Sequence, residues 1–402
     1  MRAVLIAFLL FAAGQVPCLA SSARLDGDSS VMMQGFHWDS WKTSPWWGVV
    51  AADAAEIAKA GVDMVWLPPA SDSADSQGYM PRRLTLLDSS YGTSAQLSAA
   101  IRRLHASGVR VIGDVVLNHR VGLNDWADFD SPAWGADAVT SDDEWNKGKG
   151  AKDSGWGVPY ARDIDHSRPY VQASIKNWLN DLRDFGFDGW RFDYARGYSS
   201  RYLLDYSRAS NPAFAVAEIW DTLDLNRPDA HRQALCDWLD TVNGEVSVFD
   251  FTTKGLLQQA FYSGEFWRLK DRKGAPAGLI GWWPAAAVTF VENHDTATAW
   301  PFPSDKVTAG YAYIMTHPGV PCIFWTHFFD RGLKNEIAAL VKIRRAAGIT
   351  SASSVEILRA EHGLYAAVTD GKVALKLGDR DWNPGSGWTL AAHGQSYAVW
   401  TR

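Results

Sequence analysis

Two carboxylates 25 positions apart carry the main chemical signal of this chain. Asp193 ends the segment Gly-Phe-Asp-Gly-Trp-Arg-Phe-Asp, and Glu218 follows the apolar run Phe-Ala-Val-Ala. Both runs are typical of parallel strands. In a barrel of alternating strands and helices, residues at the C-terminal strand ends line the active-site face. Two acids at that face can act as the nucleophile and the proton donor of glycoside hydrolysis.

Two further strand-like segments end in polar side chains of the same kind. One runs from Asp114 to Asn118 and His119, and the other ends in His294 and Asp295. A single acid at a strand end is more often a salt-bridge partner or a helix cap. Four such ends on one rim argue against a purely structural role.

Arg191 precedes Asp193 by two positions, so both side chains point to the same side of their strand. A guanidinium there would keep the Asp193 carboxylate ionised. A generic barrel salt bridge would have the same geometry, so this alternative stays open. Asp114 is expected to orient Arg191 or His119 and not to act as a catalyst.

Strand-like and helix-like patterns alternate between residues 31 and about 345. The strand candidates are apolar runs without alternation, as expected where both faces are buried, and they cover 31–36, 62–67, 109–117, 189–192, 215–217, 246–249, 287–291 and 320–324. The segments between them show helical periodicity; Thr93 and Gln96 form a capping-box pattern, and Gly186 ends another apolar stripe. Eight such units predict an α/β fold, a (β/α)8 TIM barrel. Doubly wound sheets, the rival, seldom contain eight.

The alternation breaks at two places. From 118 to 165 the chain is polar and lacks sustained periodicity, and a connection of this length after the third strand predicts an inserted loop domain over the active-site face. Short strand-like runs separated by turns predict a C-terminal antiparallel β-sheet domain over 348–402. The catalytic barrel is expected to span 24–347.

Composition and the N-terminus exclude several classes of function. The 402 residues carry a formal net charge of −6 and no evident basic patch, which argues against a nucleic-acid partner. Residues 1–23 combine Arg2, an apolar run and small residues, the pattern of a cleaved signal peptide too short to span a membrane. We therefore expect a secreted protein, extracellular or within an endomembrane compartment, with no membrane partner. Beyond this segment, Cys236 and Cys322 form no disulfide framework, and their pairing is open.

The four polar strand ends resemble the conserved regions of the α-amylase family, glycoside hydrolase family 13. Segments outside them are similar to the plant α-amylases in particular; they include Gln-Gly-Phe-His-Trp-Asp-Ser-Trp (34–41), Trp-Leu-Pro-Pro-Ala-Ser (66–71), Gln-Gly-Tyr-Met-Pro (77–81), Gly-Trp-Trp-Pro (281–284) and Thr-His-Pro-Gly-Val-Pro-Cys (316–322). The resemblance covers nearly the whole chain after the signal peptide. It implies the same three parts that the periodicity predicts.

The resemblance also implies roles for single residues. Asp193 matches the nucleophile, Glu218 the acid/base, and Asp295 the third carboxylate, which favours the distorted sugar ring. The matched substrate contacts are Tyr79, His119, Arg191, Arg196 and His294, with a surface starch site at an exposed pair, Trp282 and Trp283. At position 196 the family usually has lysine, so arginine keeps the charge but changes the geometry.

A structural calcium ion is implied in the same way. Asn118 and Asp163 match side-chain ligands, and Asp153 falls on a third by counting back ten positions. The carbonyl of Gly197 matches a backbone ligand, and that of Trp156 is a further candidate. Oxygen donors from several loops suit Ca²⁺. One ion is expected, because the aspartate-rich stretch that holds extra ions in the plant relatives is largely missing.

The expected function is therefore that of a calcium-dependent, retaining, endo-acting α-amylase. It would hydrolyse internal α-1,4-glucosidic bonds of starch, glycogen and maltooligosaccharides as a monomer. A related α-glucan transglycosylase and a catalytically inactive starch-binding barrel stay open as alternatives. The acidic stretch Asp142, Asp143 and Glu144 is expected to be a solvated turn and not a second ion site.

Overall fold

The computed structural model describes residues 28–124, 127–144, 148–157 and 161–402. The expected signal peptide, residues 1–23, lies outside the described residues. Within them, a closed barrel of eight parallel strands is followed by a five-stranded antiparallel sheet at the C-terminus. The predicted barrel and C-terminal sheet are both confirmed.

Each of the eight predicted strands forms one strand of the barrel. They are β1 (Met32–Gln34), β2 (Met64–Leu67), β3 (Arg110–Val116), β4 (Gly189–Asp193), β5 (Phe214–Ala217), β6 (Ser247–Phe249), β7 (Ala287–Phe290) and β8 (Val320–Phe324). Neighbours in the barrel follow the chain order, and β1 closes the ring by pairing with both β2 and β8. Every strand residue except Arg110 is buried, which explains why the runs are apolar without alternation.

A helix follows every barrel strand. The helices are α1 (Trp46–Lys59), α2 (Ser94–Ala106), α3 (Pro169–Phe185), α4 (Ser200–Ser210), α5 (Pro228–Thr241), α6 (Phe251–Ser263), the short α7 (Thr296–Ala299), α8 (Val307–Thr316) and α9 (Lys334–Ala347). The predicted capping box starts α2: the Gln96 amide donates to the Thr93 hydroxyl, and the Thr93 amide donates to the Gln96 side chain. Gly186 ends α3 with φ of 128°, a conformation that favours glycine.

The segment between β3 and α3 has little regular structure. Its described residues form two short antiparallel pairs, His119–Arg120 with Arg162–Asp163 and Phe129–Asp130 with Ala133–Trp134. The Arg120 guanidinium lies 4.6 Å from the centre of the Phe129 ring and 4.3 Å from that of Trp134. It also donates to three backbone carbonyls, one of them in the loop after β2. One buried cation therefore fastens the start of this segment to the barrel rim.

The C-terminal sheet packs against α8. Its strands, in the sheet order β9-β10-β11-β13-β12, are β9 (Val355–Glu361), β10 (Leu364–Thr369), β11 (Val373–Leu377), β12 (Thr389–Gly394) and β13 (Tyr397–Thr401). The Tyr365 hydroxyl lies 2.8 Å from His317 Nε2, and the Thr369 hydroxyl donates to the Thr316 carbonyl at 2.6 Å. These buried bonds join the sheet to the end of α8.

Two further findings concern the cysteines and the helices of the described residues. Cys236 and Cys322 are both buried and do not form a disulfide with each other, which answers the pairing left open by the sequence. Across the described ranges, no helix has both the length and the apolar character needed to cross a membrane.

Close contact between β4 and β5 predicts the effect of a single methyl group. A Cβ at Gly189 would lie 2.1 Å from the Phe214 carbonyl oxygen, so Gly189→Ala is expected to lower the free energy of unfolding by about 2–3 kcal/mol. Gly48→Ala is the control: Gly48 is an exposed residue of α1 whose added Cβ would meet its nearest neighbour at 3.4 Å, so the change is expected to raise the free energy of unfolding by about 0.5–1 kcal/mol. Urea unfolding measures both. Equal stabilities of the two variants would contradict the described packing.

Candidate active site

The Arg191 guanidinium is the centre of the site and lies within the barrel on β4. Arg191 is fully buried; its Nη1 lies 2.6 Å from Asp193 Oδ1 and 3.0 Å from Asp114 Oδ1. Its Nη2 lies 2.6 Å from Glu218 Oε1. One cation therefore contacts three carboxylates, which come from β3, the end of β4 and the residue after β5.

Asp114 takes the first of its two expected roles, since it contacts Arg191. The Asp114 carboxylate also accepts hydrogen bonds from Trp66 Nε1 at 3.0 Å and from the Tyr79 hydroxyl at 2.9 Å. Arg191, Trp66 and Tyr79 thus all donate to the Asp114 carboxylate inside the barrel. It holds the guanidinium in place, and the other two carboxylates face the rim.

Glu218 is held through both of its oxygens. The Tyr194 amide donates to Oε2 at 3.3 Å. Oε1 forms an ion pair with Arg191, but the geometry is not that of a hydrogen bond. Burial raises the pKa of Glu218 to about 7; the Arg191 charge opposes this rise, and the Asp193 and Asp295 charges add to it. A carboxyl that is half protonated near neutral pH can give and take a proton, as an acid/base catalyst must.

Asp295 lies beside His294 in the connection between β7 and α7. His294 Nε2 lies 3.3 Å from Asp295 Oδ2, and His294 Nδ1 lies 2.9 Å from the Gln34 side-chain nitrogen. Burial and the Arg191 charge hold the pKa of His294 well below its ordinary value, so the ring is neutral. Its Nδ1 then accepts from the Gln34 amide, which leaves the Nε2 proton to face Asp295. Burial raises the pKa of Asp295 to about 6, although Arg191 opposes the rise.

Aromatic rings form a platform beside these acids. The Tyr79 ring stacks on His294 with centres 5.3 Å apart, and Trp38 lies nearly parallel to Tyr79 at 6.1 Å. His119 Nε2 lies 2.8 Å from the Tyr79 carbonyl oxygen. Such a platform suits the apolar face of a sugar ring. Sequence analysis missed Trp38 and Gln34; their only signal was their place in a family-like segment.

A cleft of about 760 Å³ is formed by residues that follow these acids along the chain. Its walls include Arg196, three residues after Asp193. They also include Trp220, two residues after Glu218, and Trp300, five residues after Asp295. Arg196 pairs with Asp221 and donates to the Trp220 carbonyl at 2.8 Å. The rings of Trp220, Trp300 and Trp156 in this cleft were not predicted, because isolated tryptophans carry no motif.

Of the predicted calcium ligands, Asn118, Asp163 and Gly197 lie together where the irregular segment contacts the barrel, and the Asp153 charge acts on Asp163. Asn118 Nδ2 donates to Asp163 Oδ1 at 3.0 Å, whereas Asn118 Oδ1 and Asp153 Oδ2 are buried without a hydrogen-bond partner. A Cβ on Gly197 would lie 1.9 Å from Asn118 Oδ1, so the Gly197 backbone approaches the same point. Buried oxygens without donors fit a hard cation such as Ca²⁺.

Two further acids join this cluster. Carboxylate oxygens of Asp143, Glu144 and Asp163 lie within 4.8 Å of one another. Asp143 is buried and pairs with Arg162 at 2.7 Å, so the expected solvated acidic turn is wrong for Asp143. Burial raises the pKa of Asp163 to about 8, and the nearby carboxylates add to the rise. A cation would relieve this repulsion.

The tryptophan pair differs from its expected exposure. Trp283 is only 6% exposed, and Trp282 is half-buried with the Arg232 guanidinium 3.7 Å from its ring centre. The expected exposed pair is therefore wrong for Trp283, which packs into the core. A surface starch site here would rest on Trp282, and it stays a prediction.

Two carboxylates at the C-terminal end of a parallel barrel, held by one buried guanidinium and beside an aromatic platform, define the site of a barrel glycoside hydrolase. Residues 54–153 match the family model of the α-amylase catalytic domain, and residues 346–401 match that of the α-amylase C-terminal β-sheet domain. A probable alpha-amylase 2 of Arabidopsis thaliana is 43% identical over 390 residues, which cover 92% of this chain and 93% of the relative. The chain belongs to the α-amylase family, and the predicted plant-type resemblance is confirmed.

Other relatives share the fold over nearly the whole chain. Chloroplastic alpha-amylase 3 of A. thaliana is 41% identical over 412 residues; the match covers 98% of this chain and 46% of the relative, so the chain spans about half the length of that protein. The solved α-amylase of Malbranchea cinnamomea is 19% identical with a TM-score of 0.66, covering 93% of this chain and 96% of that one. An α-amylase of Geobacillus thermoleovorans, solved with acarbose, is 14% identical with a TM-score of 0.67, covering 93% and 98%.

The raised pKa of Glu218 predicts the alkaline side of the activity profile. A general acid must be protonated, so kcat/KM for a maltooligosaccharide is expected to fall about tenfold per pH unit above about 7. Asp295→Asn removes a negative charge that raises this pKa, so the decline of the residual activity should begin at lower pH. A pH series of kcat/KM for both proteins checks this. A decline that begins at higher pH in the variant would contradict the role of Glu218.

Proposed function

We propose that the protein is a retaining, endo-acting α-amylase that hydrolyses internal α-1,4-glucosidic bonds of starch, glycogen and related maltooligosaccharides. The contact of the Arg191 guanidinium with both Asp193 and Glu218 supports this most directly. Retention needs the nucleophile and acid/base carboxyls about 5–5.5 Å apart. Carboxylates on two nitrogens of one planar guanidinium are held at such short range.

In the first step of the proposed mechanism, Glu218 gives its proton to the glycosidic oxygen while the Asp193 carboxylate attacks the anomeric carbon. The bond to the leaving glucan breaks as the ester bond to Asp193 forms, and Glu218 is left ionised. A water molecule then loses a proton to Glu218 and attacks the same carbon. This releases Asp193 and restores the α-configuration. Arg191, which donates a hydrogen bond to Asp193 Oδ1 at 2.6 Å, holds the nucleophile in position.

The remaining contacts would hold the glucose unit at the cleavage point. The neutral His294 can donate from Nε2, and the Asp295 carboxylate can accept from sugar hydroxyls and favour the distorted ring. Tyr79 offers its ring face to the same sugar, and His119, 2.8 Å from the Tyr79 carbonyl, lies at the edge of this platform. Each of these roles matches the one implied by the family resemblance.

We also propose one structural calcium ion. Asn118, Asp153 and Asp163 would hold it through their side chains and Gly197 through its carbonyl. Asp143 and Glu144 are close enough to Asp163 to add oxygens. The ion would tie the irregular segment to the barrel rim. Because its oxygen donors are not the sugar-binding groups, it would stabilise the fold and take no part in bond breaking.

Two other functions have weaker support. A solved cyclomaltodextrin glucanotransferase, CldA, has a TM-score of 0.66 to this chain over 93% of it and 99% of that protein, but at 16% identity the likeness concerns the fold alone. The plant relative that matches over 93% of its own length is, by contrast, named a probable alpha-amylase. A catalytically inactive starch-binding barrel would be expected to lack one of Asp193, Glu218 and Asp295, and all three are present.

The cellular setting is proposed from the first residues. Segment 1–23 would direct the chain into the secretory pathway, and the protein would act on α-glucans as a monomer without nucleic-acid or membrane partners. A plastid is the alternative compartment, since one relative is named chloroplastic.

Removal of the proposed acid/base should nearly abolish turnover. Glu218→Gln is expected to lower kcat on a blocked maltoheptaoside about 1,000-fold or more, because the leaving group then departs without a proton. Azide should partly restore turnover of a substrate with a good leaving group and yield the glycosyl azide. Glu245→Gln, at a partly exposed position paired with Arg208, is the matched control and should act as wild type.

Two results would overturn the proposed mechanism. One is a Glu218→Gln variant that hydrolyses within tenfold of the wild-type rate. The other is a first product seen by proton NMR in the β-anomeric form, since the retaining route releases the α-anomer.

Calcium removal should destabilise the protein. Excess chelator is expected to lower the melting temperature by about 3 °C or more, which corresponds to the loss of a ligand present at about 100 times its Kd. Without the ion, Asp163 stays protonated in the folded state up to about pH 8, whereas in the unfolded state it ionises near pH 4. The free energy of unfolding therefore falls as the pH rises from about 4 towards 8. The calcium effect should therefore grow with pH over this window.

Calorimetry with and without chelator measures this effect. Asp163→Asn should remove most of the response, whereas Asp184→Asn, an exposed aspartate at the end of α3, should keep it. A melting temperature that does not respond to chelation would show that no structural ion is bound.

A further inference from the structure

Trp156 projects from the irregular segment into the cleft. Its side chain is 66% exposed, yet it lines the cleft together with Trp220 and Trp300. Single exposed apolar side chains are common and carry no meaning by themselves. What distinguishes Trp156 is that the neighbouring structure fixes its position.

The backbone around Trp156 is packed against the loop that follows the nucleophile. The Trp156 amide donates to the Arg196 carbonyl at 3.1 Å, and the Ser199 amide donates to the Ser154 hydroxyl at 3.0 Å. At Gly155 a Cβ would lie 2.4 Å from the carbonyl carbon of Gly197, so the two backbones touch. These contacts fix the backbone from which the Trp156 side chain extends into the cleft.

One face of the Trp156 ring is already occupied. The Arg196 guanidinium lies 4.0 Å from the ring centre and is itself held by Asp221 and by the Trp220 carbonyl. A planar guanidinium can stack in this way, which a lysine ammonium cannot do. With Arg196 on one side, the exposed area of Trp156 belongs mainly to the opposite face and the ring edge.

Another wall of the cleft is also anchored. The Trp300 carbonyl accepts from Lys254 Nζ at 3.1 Å and from Gln258 Nε2 at 3.3 Å, both on α6. Two residues later, the Phe302 amide donates to the buried Glu292 carboxylate. Two tryptophans from distant parts of the chain are therefore held in one cleft, and each presents ring surface to it.

The lining of the cleft includes the segment that follows Glu218 along the chain, namely Trp220, Asp221 and Thr222. Trp220 follows Glu218 by two residues, and Glu218 would give its proton to the leaving oxygen. We propose that the open face of Trp156 stacks on a glucose unit of the leaving part of the glucan, so that Trp156 is a substrate-binding residue that sets where chains are cut. This assignment rests on the proposed α-amylase function.

The test compares Trp156→Ala and Trp156→Phe with Trp267→Ala. Trp267 is the matched control, because it is 47% exposed and carries the Arg268 guanidinium 4.4 Å from its ring, but it does not line the cleft. The probes are maltopentaose and maltoheptaose labelled at the reducing end, and soluble starch. Each enzyme is assayed for kcat, KM and the frequency of cleavage at each bond, and for its melting temperature in calcium.

Trp156→Ala is expected to raise KM for the oligosaccharides roughly 3- to 10-fold, the loss of one stacking contact, and to shift the preferred bond. The values of kcat on starch and the melting temperature should stay near wild type. Trp156→Phe should recover most of the wild-type pattern, and Trp267→Ala should match wild type throughout.

An unchanged cleavage pattern and KM in Trp156→Ala would overturn the assignment. So would an equal loss on starch and oligosaccharides with a lowered melting temperature, since that is the result of a purely structural role. If the wild-type protein cleaves none of these glucans, the proposed function itself fails, and the assignment fails with it.

Discussion

The buried Arg191 guanidinium is the interaction on which the site depends. Asp114, Asp193 and Glu218 approach it from neighbouring strands. Anions this close in a buried site would repel one another and take up protons if no cation lay between them. The planar guanidinium also fixes where each carboxylate lies. The parallel register places Arg191 opposite Asp114 and Val216, and therefore places Glu218 two residues further on, at the rim.

The same cation does not make its neighbours chemically alike. Burial raises the pKa values of Glu218 and Asp295 towards neutrality even though the Arg191 charge opposes the rise. A nucleophile must be ionised and a general acid must be protonated. Arg191 lies 2.6 Å from both carboxylates, so what differs is the contact: it donates a hydrogen bond to Asp193, whereas its ion pair with Glu218 includes no hydrogen bond.

The irregular segment after β3 links stability to substrate contact. Asn118, Asp153 and Asp163 bring unpaired buried oxygens and like charges together at its base. Three residues after Asp153, Trp156 stacks on Arg196 in the cleft. A segment with so little regular structure can hold a side chain in a defined place only if its backbone is fixed elsewhere. Here close packing against the loop after β4 does so, and a cation would reinforce it.

The amino-acid sequence by itself determined the barrel strands, the caps of α2 and α3, the C-terminal sheet and the acids at the strand ends, because each depends on the order of residues within one element. Which side chains meet across elements was decided only by the tertiary structure. Trp283 was expected to be exposed and is buried, Asp143 was expected to be solvated and pairs with Arg162, and Trp156 joins Trp300 in one cleft. Local sequence patterns cannot specify such contacts, because burial and pairing depend on which residues distant segments bring to the same place.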